Sequence, residues 1–238
     1  MARVQGSREQ GGAASPAEIA RFDALAAEWW DPHGPMAPLH AMNPLRVAWI
    51  DALLPGPVRL LDVGCGAGVA SEALARRGHT VLGIDAAAQV LAAAGAHAAG
   101  QGLALDYRLG TTADLVQEGL QFDAITALEV IEHVPDPAGF LRDLAMLLTP
   151  GGRLFVSTLN RTTRSLLTAK IGAEYVLRLL PRGTHDWRRF ITPAELARDA
   201  RKAGLRVVDT AGMRFDPLRA RWSMGGDLGI NYIAAFER

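Results

Sequence analysis

Three glycines alternate with small residues in Leu61-Asp62-Val63-Gly64-Cys65-Gly66-Ala67-Gly68, directly after an apolar run. Glycine allows positive φ and leaves no Cβ between the backbone and an approaching group. The residues that follow open a helix whose first N–H groups have no intrahelical partner. Asp85 stands about 20 residues further on, at the end of the next apolar run, where an acid can accept hydrogen bonds from both ribose hydroxyls of a nucleoside. Glycine loop and acid together point to a bound nucleoside; the plainer reading is a tight strand-to-helix turn with a capping acid.

A second cluster lies in Ala127-Leu128-Glu129-Val130-Ile131-Glu132-His133-Val134-Pro135-Asp136-Pro137. Glu129, Glu132 and His133 are spaced i, i+3 and i+4, which on one helical turn is a single face. Two carboxylates and an imidazole so placed suit a hard divalent cation such as Mg²⁺. Alternatively His133 is a general base, since imidazoles ordinarily titrate near about 6.5. A helix-start cluster with no chemistry is the third reading. Cys65 sits between the glycines and reads as a small residue rather than a reactive thiol, because nothing near it in sequence would favour a thiolate.

Positioning these groups requires a parallel sheet. Apolar runs at 58–63, 80–84, 105–109, 123–128 and 153–158 alternate with helical patterns at 69–77, 86–99 and 137–148. Strand, helix, strand with short links means right-handed βαβ units and a doubly wound sheet. A helix at 193–203 and strands at 206–211 and 231–236 follow, making seven strands. Upstream, Ser15-Pro16-Ala17-Glu18 reads as a capping box with proline at the first helical position. The helix it starts is expected to run to about Trp30. Asn43-Pro44 reads as a second start, which puts Arg46 in a first turn, where a cation opposes the helix dipole. The first 14 residues, rich in Gly, Gln and Ser, read as a disordered tail, and 15–238 as one domain.

Composition narrows the function. The chain has 238 residues, 49% of them hydrophobic, enough for one well-buried domain. Lys+Arg and Asp+Glu are each 25, so no global basic field points to nucleic acid. The single cysteine excludes an intramolecular disulfide and fits a reducing cytosol. No apolar run is long enough to span a bilayer, and the start has no signal-peptide core.

The glycine loop preceded by Asp62 resembles that of class I S-adenosylmethionine-dependent methyltransferases. Its Gly-x-Gly-x-Gly spacing differs from the Gly-x-Gly-x-x-Gly of dinucleotide sites. Such a methyl donor has no pyrophosphate and needs close approach more than anion binding. The likeness extends through FDALAAEWWDPHGPMAPLHAMNPLR, LLDVGCGAG, LGID, LEVIEHVPDP, TPGGRLFVSTLNRT and GAEYVLRLLPRGTHDWRRFITPAEL. Over roughly 16–238 these resemble the ubiquinone biosynthesis O-methyltransferase family, with the NPLR and GTHDW pieces far more specific than the glycine loop.

The resemblance implies a Rossmann-like fold and S-adenosylmethionine contacts at Arg46, Gly64, Asp85 and Leu128, beside Asp62, Gly66 and Gly68 of the loop. Leu128 replaces the methionine common there in the family. Arg46 is a good partner for the methionine carboxylate. Some relatives need a divalent cation, and Glu129, Glu132 and His133 also resemble the metal site of small-RNA 2′-O-methyltransferases. His185 in GTHDW is a second candidate base, a further ligand, or a cap.

Between 160 and 190 the pattern changes to a helical insertion. Lys170, Glu174 and Arg178 form one charged stripe on an otherwise apolar helix, flanked by Arg161, Arg164, Arg182, Arg188 and Arg189. Composition alone favours a lid packed on the sheet. The resemblance implies a polyprenylated phenol or quinol substrate held in lipid, so residues 161–189 are read as both lid and membrane contact. The expected protein is a bacterial cytoplasmic enzyme, peripherally bound to membrane, with a ubiquinone-biosynthesis complex as a further partner. Methylation of another small phenol or an RNA end, a nicotinamide oxidoreductase, and a non-catalytic donor-binding subunit are the rivals.

Overall fold

The computed structural model describes residues 15–103, 105–166, 187–216 and 221–238. The expected tail at 1–14, most of the insertion at 160–190 and His185 lie outside them.

One eight-stranded sheet organises the chain, in the order β3-β2-β1-β4-β5-β8-β6-β7. Its parallel half comprises β1 (Arg59–Val63), β2 (Thr80–Asp85), β3 (Asp106–Leu109), β4 (Phe122–Leu128) and β5 (Leu148–Leu159). β6 (Arg206–Asp216), β7 (Arg221–Gly225) and β8 (Asn231–Glu237) add an antiparallel edge. The expected doubly wound sheet stands, with eight strands rather than seven. The extra one, β7, has burial that alternates between exposed and intermediate, without an apolar run to announce it.

Alternation along the strands divides the core. Leu61, Tyr232, Ala234 and Phe236 face one layer, with α5 (Thr112–Gln117), α6 (Pro137–Leu147) and α7 (Pro193–Lys202) contributing Leu115, Phe140, Leu144 and Leu196. Leu60, Val81, Phe155, Ile233 and Ala235 face the other, covered by Val47 and Ile50 of α2 (Ala37–Ala52) and Leu74 of α3 (Val69–Ala75). Burying a side chain of this size is worth about 1.5–3 kcal/mol, so a period-two strand stabilises both layers at once. α4 (Ala88–Gly100) and α1 (Pro16–Asp23) frame a third cluster around Trp29, Ala67 and Val90.

Two helix boundaries differ from expectation. α2 begins at Ala37, not at Asn43-Pro44, so Pro44 lies inside it and Arg46 is in its second half rather than its first turn. Asn43 is no cap: its Nδ2 donates to the carbonyl of Val69 at 2.8 Å, tying α2 to the start of α3. The dipole argument for Arg46 therefore fails; burial replaces it below. α1 stops at Asp23, and the chain passes through a 3-10 turn at Ala26–Glu28 before the two tryptophans.

Because β4 returns beside β1 after β3, the switch point lies between β1 and β4. Ligands of doubly wound sheets bind outside the carboxyl ends of the strands at such a point. The glycine loop leaves β1 there, Asp85 ends β2, and Leu128 ends β4.

Candidate functional site

Gly64, Gly66 and Gly68 have φ of 64°, 55° and 87°, so all three use the left-handed region. The space beside them is occupied by the protein itself. A Cβ on Gly64 would come within 2.5 Å of Val130 Cγ2; one on Gly66 would collide with the Trp29 ring, and one on Gly68 with the Tyr107 hydroxyl. The alternating glycines thus serve packing of Val130, Trp29 and Tyr107 as well as any ligand. Cys65 between them is buried, and burial pushes its thiol well up, as expected of an inert small residue.

Asp85 accepts from the N–H of Gly66 at 2.9 Å and of Ala87 at 2.8 Å, which locks the loop to β2. Each carboxylate oxygen keeps a second lone pair. Burial raises the Asp85 pKa, partly offset by these backbone donors. Asp62 is deeper. Ser71 Oγ and Thr126 Oγ1 donate to it at 2.5 and 2.7 Å, joining β1, α3 and β4 behind the loop. Its pKa is also raised by burial, against the pull of both hydroxyls.

A cavity of about 390 Å³ opens over these strand ends. Arg46, Asp62, Gly64, Gly66, Asp85, Leu128, Glu129, Glu132 and His133 all line it; Gly68 lies behind, under Tyr107. Arg46 is 3% exposed and its Nε has no hydrogen-bond partner among the described residues. Burial lowers its pKa, resisted by Glu129 and Asp62. A buried guanidinium with unused donors is suited to a carboxylate ligand.

The Glu129, Glu132, His133 face is built differently from the single helical turn expected. Glu129 sits in left-handed backbone, φ 59°, between β4 and a 3-10 turn at Ile131–His133. Its carboxylate receives Ser157 Oγ at 2.7 Å and Asn231 Nδ2 at 3.3 Å, with Arg46 Nη1 at 3.5 Å. Glu132 is buried, and its Oε2 has no partner among the described residues. Burial, then the neighbouring Glu129 charge, pushes its pKa up to about 8. His133 Nδ1 lies 3.0 Å from Glu18 Oε1 on α1. Among the described residues no three His, Cys, Asp or Glu side chains converge to hold a cation as they stand. The reason is local: the left-handed backbone of Glu129 itself breaks the helical turn that would have put the three side chains on one face.

Several residues at the cavity or bonded to its lining escaped sequence reasoning. Asn231 opens β8, Ser157 faces Glu129 across β5, and Trp222 reaches the cavity from β7. Asn231 and Ser157 meet Glu129 from 102 and 28 residues away, so spacing carried no signal. The Trp29-Trp30 pair was visible, but its use was not: Trp30 Nε1 donates to the carbonyl of Ala67 at 3.0 Å, clamping the glycine loop from outside.

Among the described residues, no helix is long and apolar enough to cross a membrane.

Comparison with known proteins gives the same outline. Residues 25–210 match the methyltransferase domain family. A ubiquinone biosynthesis O-methyltransferase of Azorhizobium caulinodans is 49% identical, over 92% of this chain and 91% of its own. One of Pseudomonas aeruginosa is also 49% identical, over 93% and 97%. Among solved structures, magnesium protoporphyrin IX methyltransferase from Synechocystis PCC 6803 with bound SAH superposes with a TM-score of 0.64. It is 22% identical and covers 92% of this chain and 94% of its own. A [4+2]-cyclase superposes at 0.68 with 18% identity, over 96% and 97%. At such identities the likeness is one of fold.

Proposed function

The chain belongs to the ubiquinone biosynthesis O-methyltransferase family, and we propose that it methylates phenolic hydroxyls of polyprenylated catechol or quinol intermediates at the cavity described above. It is an S-adenosylmethionine-dependent O-methyltransferase, and both O-methylations of the pathway fall to the same site. The observation that carries the site assignment is the joint presence, in one cavity, of Asp85, the left-handed glycine loop and the under-used Arg46.

In this reading S-adenosylmethionine supplies the methyl group, transferred in line to a phenolate oxygen. Asp85 accepts from the ribose hydroxyls, and Gly64, Gly66 and Leu128 give close backbone and apolar contact. Arg46 holds the amino-acid carboxylate. Asp62 and Gly68 stiffen the loop from behind. Alignment of two bound reactants accounts for much of the rate. The remaining task is the phenolic proton, whose free pKa is about 10. His133, at the edge of the cavity, takes it; His185, outside the described residues, is the alternative base.

A divalent cation fits the donor chemistry of Glu129, Glu132 and His133, with the unpartnered Glu132 oxygen as its first foothold. Such an ion, Mg²⁺ by the hardness of these ligands, would lower the pKa of a bound hydroxyl. Glu129 and His133 would have to leave their present partners to hold it.

The polyprenyl tail keeps the substrate in lipid, so the enzyme works at a membrane surface on the cytoplasmic side, through the arginine-rich stretch at about 161–189. Membership of a biosynthetic complex follows the same logic, since insoluble intermediates are best passed between neighbours.

The test is methyl transfer from labelled S-adenosylmethionine to a short-tailed demethylubiquinol, with and without EDTA. Turnover lost to EDTA and restored by Mg²⁺ supports the cation; turnover indifferent to EDTA assigns the proton to histidine alone. Donor binding without turnover on any catechol would overturn the proposal.

A further inference from the structure

Glu18 stands at the third position of α1, where a capping box would return its carboxylate to the N-cap residue. Ser15 Oγ does accept from the N–H of Glu18, at 3.3 Å. The carboxylate, however, crosses to His133, 115 residues away in sequence and 3.0 Å away in space. Arg189 Nη1 lies 3.5 Å from its other oxygen. Both side chains of the pair are about one-sixth exposed or less, at 16% and 15%. Phe22, one turn further along α1, meets the imidazole edge-on at 5.6 Å and 88°.

An ionised carboxylate can only accept, so Nδ1 of His133 carries a hydrogen, and in the neutral imidazole the lone pair lies on Nε2. We propose that Glu18 is a positioning residue for methyl transfer, fixing the tautomer and ring plane of His133 and making the reactive imidazole depend on docked α1. This rests on the reading that His133 serves the reaction, as base or as ligand; the Nε2 lone pair is required by either.

α1 has a separate anchor that makes no hydrogen bond to the imidazole. Asp23 Oδ1 accepts from the N–H groups of Gln89 and Val90, at 2.9 and 3.3 Å. It thereby caps α4, whose own N-cap, Ala87, offers no side-chain oxygen. The two anchors can be cut independently, which separates orientation of His133 from mere attachment of the helix.

The experiment compares wild type, Glu18→Ala and Asp23→Ala. ¹⁵N-histidine NMR on metal-free protein, with the His133 signal assigned through His133→Gln, reads the tautomer; kinetics read kcat and KM. Wild type should show the Nδ1–H form. Glu18→Ala should lose that bias and lower kcat about 10–100-fold, as removal of an outer partner typically does. Its KM for S-adenosylmethionine should stay within about threefold, a change too small to signal a lost direct contact. Asp23→Ala should keep the tautomer. A Glu18→Ala protein that retains the Nδ1–H form, or an Asp23→Ala protein that loses it equally, would overturn the proposal. Failure of wild type to methylate any demethylubiquinol would instead strike the functional reading, and the NMR result would still decide the pair.

Discussion

Arg46 Nη1 lies 3.5 Å from Glu129 Oε1, joining the second half of α2 to the left-handed residue that follows β4. The separation is long for a hydrogen-bonded pair, and it is almost closed to solvent, at 4% and 17% side-chain exposure. Glu129 has two other donors, Ser157 and Asn231; Arg46 keeps Nε unpartnered among the described residues. The cation is therefore the less satisfied member. Burying it is unfavourable unless a second anion completes its shell.

Arg46→Met should separate binding from stability. Removing a poorly compensated buried cation eliminates a desolvation penalty, while Glu129 keeps its neutral donors. Removing one member of a buried ion pair typically costs about 3–5 kcal/mol, and relief of the Arg46 desolvation offsets part of this, so the unfolding free energy should fall by about 1–3 kcal/mol. Affinity for S-adenosylmethionine should fall about 10–100-fold, the loss expected for a charge-assisted hydrogen bond. Calorimetric titration and thermal melting of one preparation check both. A large fall in Tm with unchanged affinity would make Arg46 a structural residue.

Asp85 carries a pH dependence of opposite sign for folding and for binding. Its pKa in the fold is raised above the ordinary 3.8, chiefly by burial. Between 3.8 and that raised value the folded protein holds the proton more often than the unfolded chain. The group therefore adds stability as pH falls through the window and weighs against the fold above it. Ribose hydroxyls donate to the ionised form, so binding should weaken over the same interval. Affinity measured from pH 8 down to 4.5 should drop before the ordinary carboxylate range is reached. Asp85→Asn should bind about 10–100-fold more weakly at pH 7.5 and lose this part of the pH response. A variant with wild-type affinity would remove Asp85 from the ribose site.

The parts of this site that sequence makes legible are those encoded by backbone need. Gly64, Gly66 and Gly68 occupy positive φ, and alternating apolar runs marked the parallel strands. What escaped depends on through-space choice. Glu18 had the spacing of a capping box, yet His133 won its carboxylate. Asn43 had the chemistry of a cap, yet the Val69 carbonyl won its amide. Glu129 had helical spacing to His133, but its left-handed backbone breaks the shared face. In each case a local rule was outbid by a partner from another element, which no single segment announces.

Two glycines offer a direct contrast. Gly66 combines φ of 55° with a Trp29 ring in the place of its missing Cβ. Gly66→Ala should cost at least about 2 kcal/mol, from left-handed strain and overpacking together, and should weaken S-adenosylmethionine binding. Gly95 lies within α4 with nothing within 4 Å of a built Cβ. Gly95→Ala should stabilise by about 0.5–1 kcal/mol through helix propensity. Urea titrations of both variants decide it; equal effects would mean that the loop geometry is not what constrains Gly66.

Thr126→Val tests the scaffold behind the loop without touching the cavity's own donors. Thr126 is fully buried and its Oγ1 donates to Asp62 Oδ1 at 2.7 Å. Valine keeps the shape and removes the donor, leaving Asp62 with Ser71 as its side-chain partner. A buried carboxylate short of a hydrogen bond costs about 1–3 kcal/mol. Asp62 also has its pKa raised by burial and lowered by both hydroxyls, so loss of one should raise it further. The variant should therefore be destabilised at neutral pH and recover part of the loss as Asp62 takes up its proton on acidification. The unfolding free energies of wild type and Thr126→Val, measured in parallel from pH 7.5 downward, should converge as the pH falls. A difference independent of pH would mean that the Thr126 hydroxyl serves the backbone of Leu61, 3.4 Å away, and not the carboxylate.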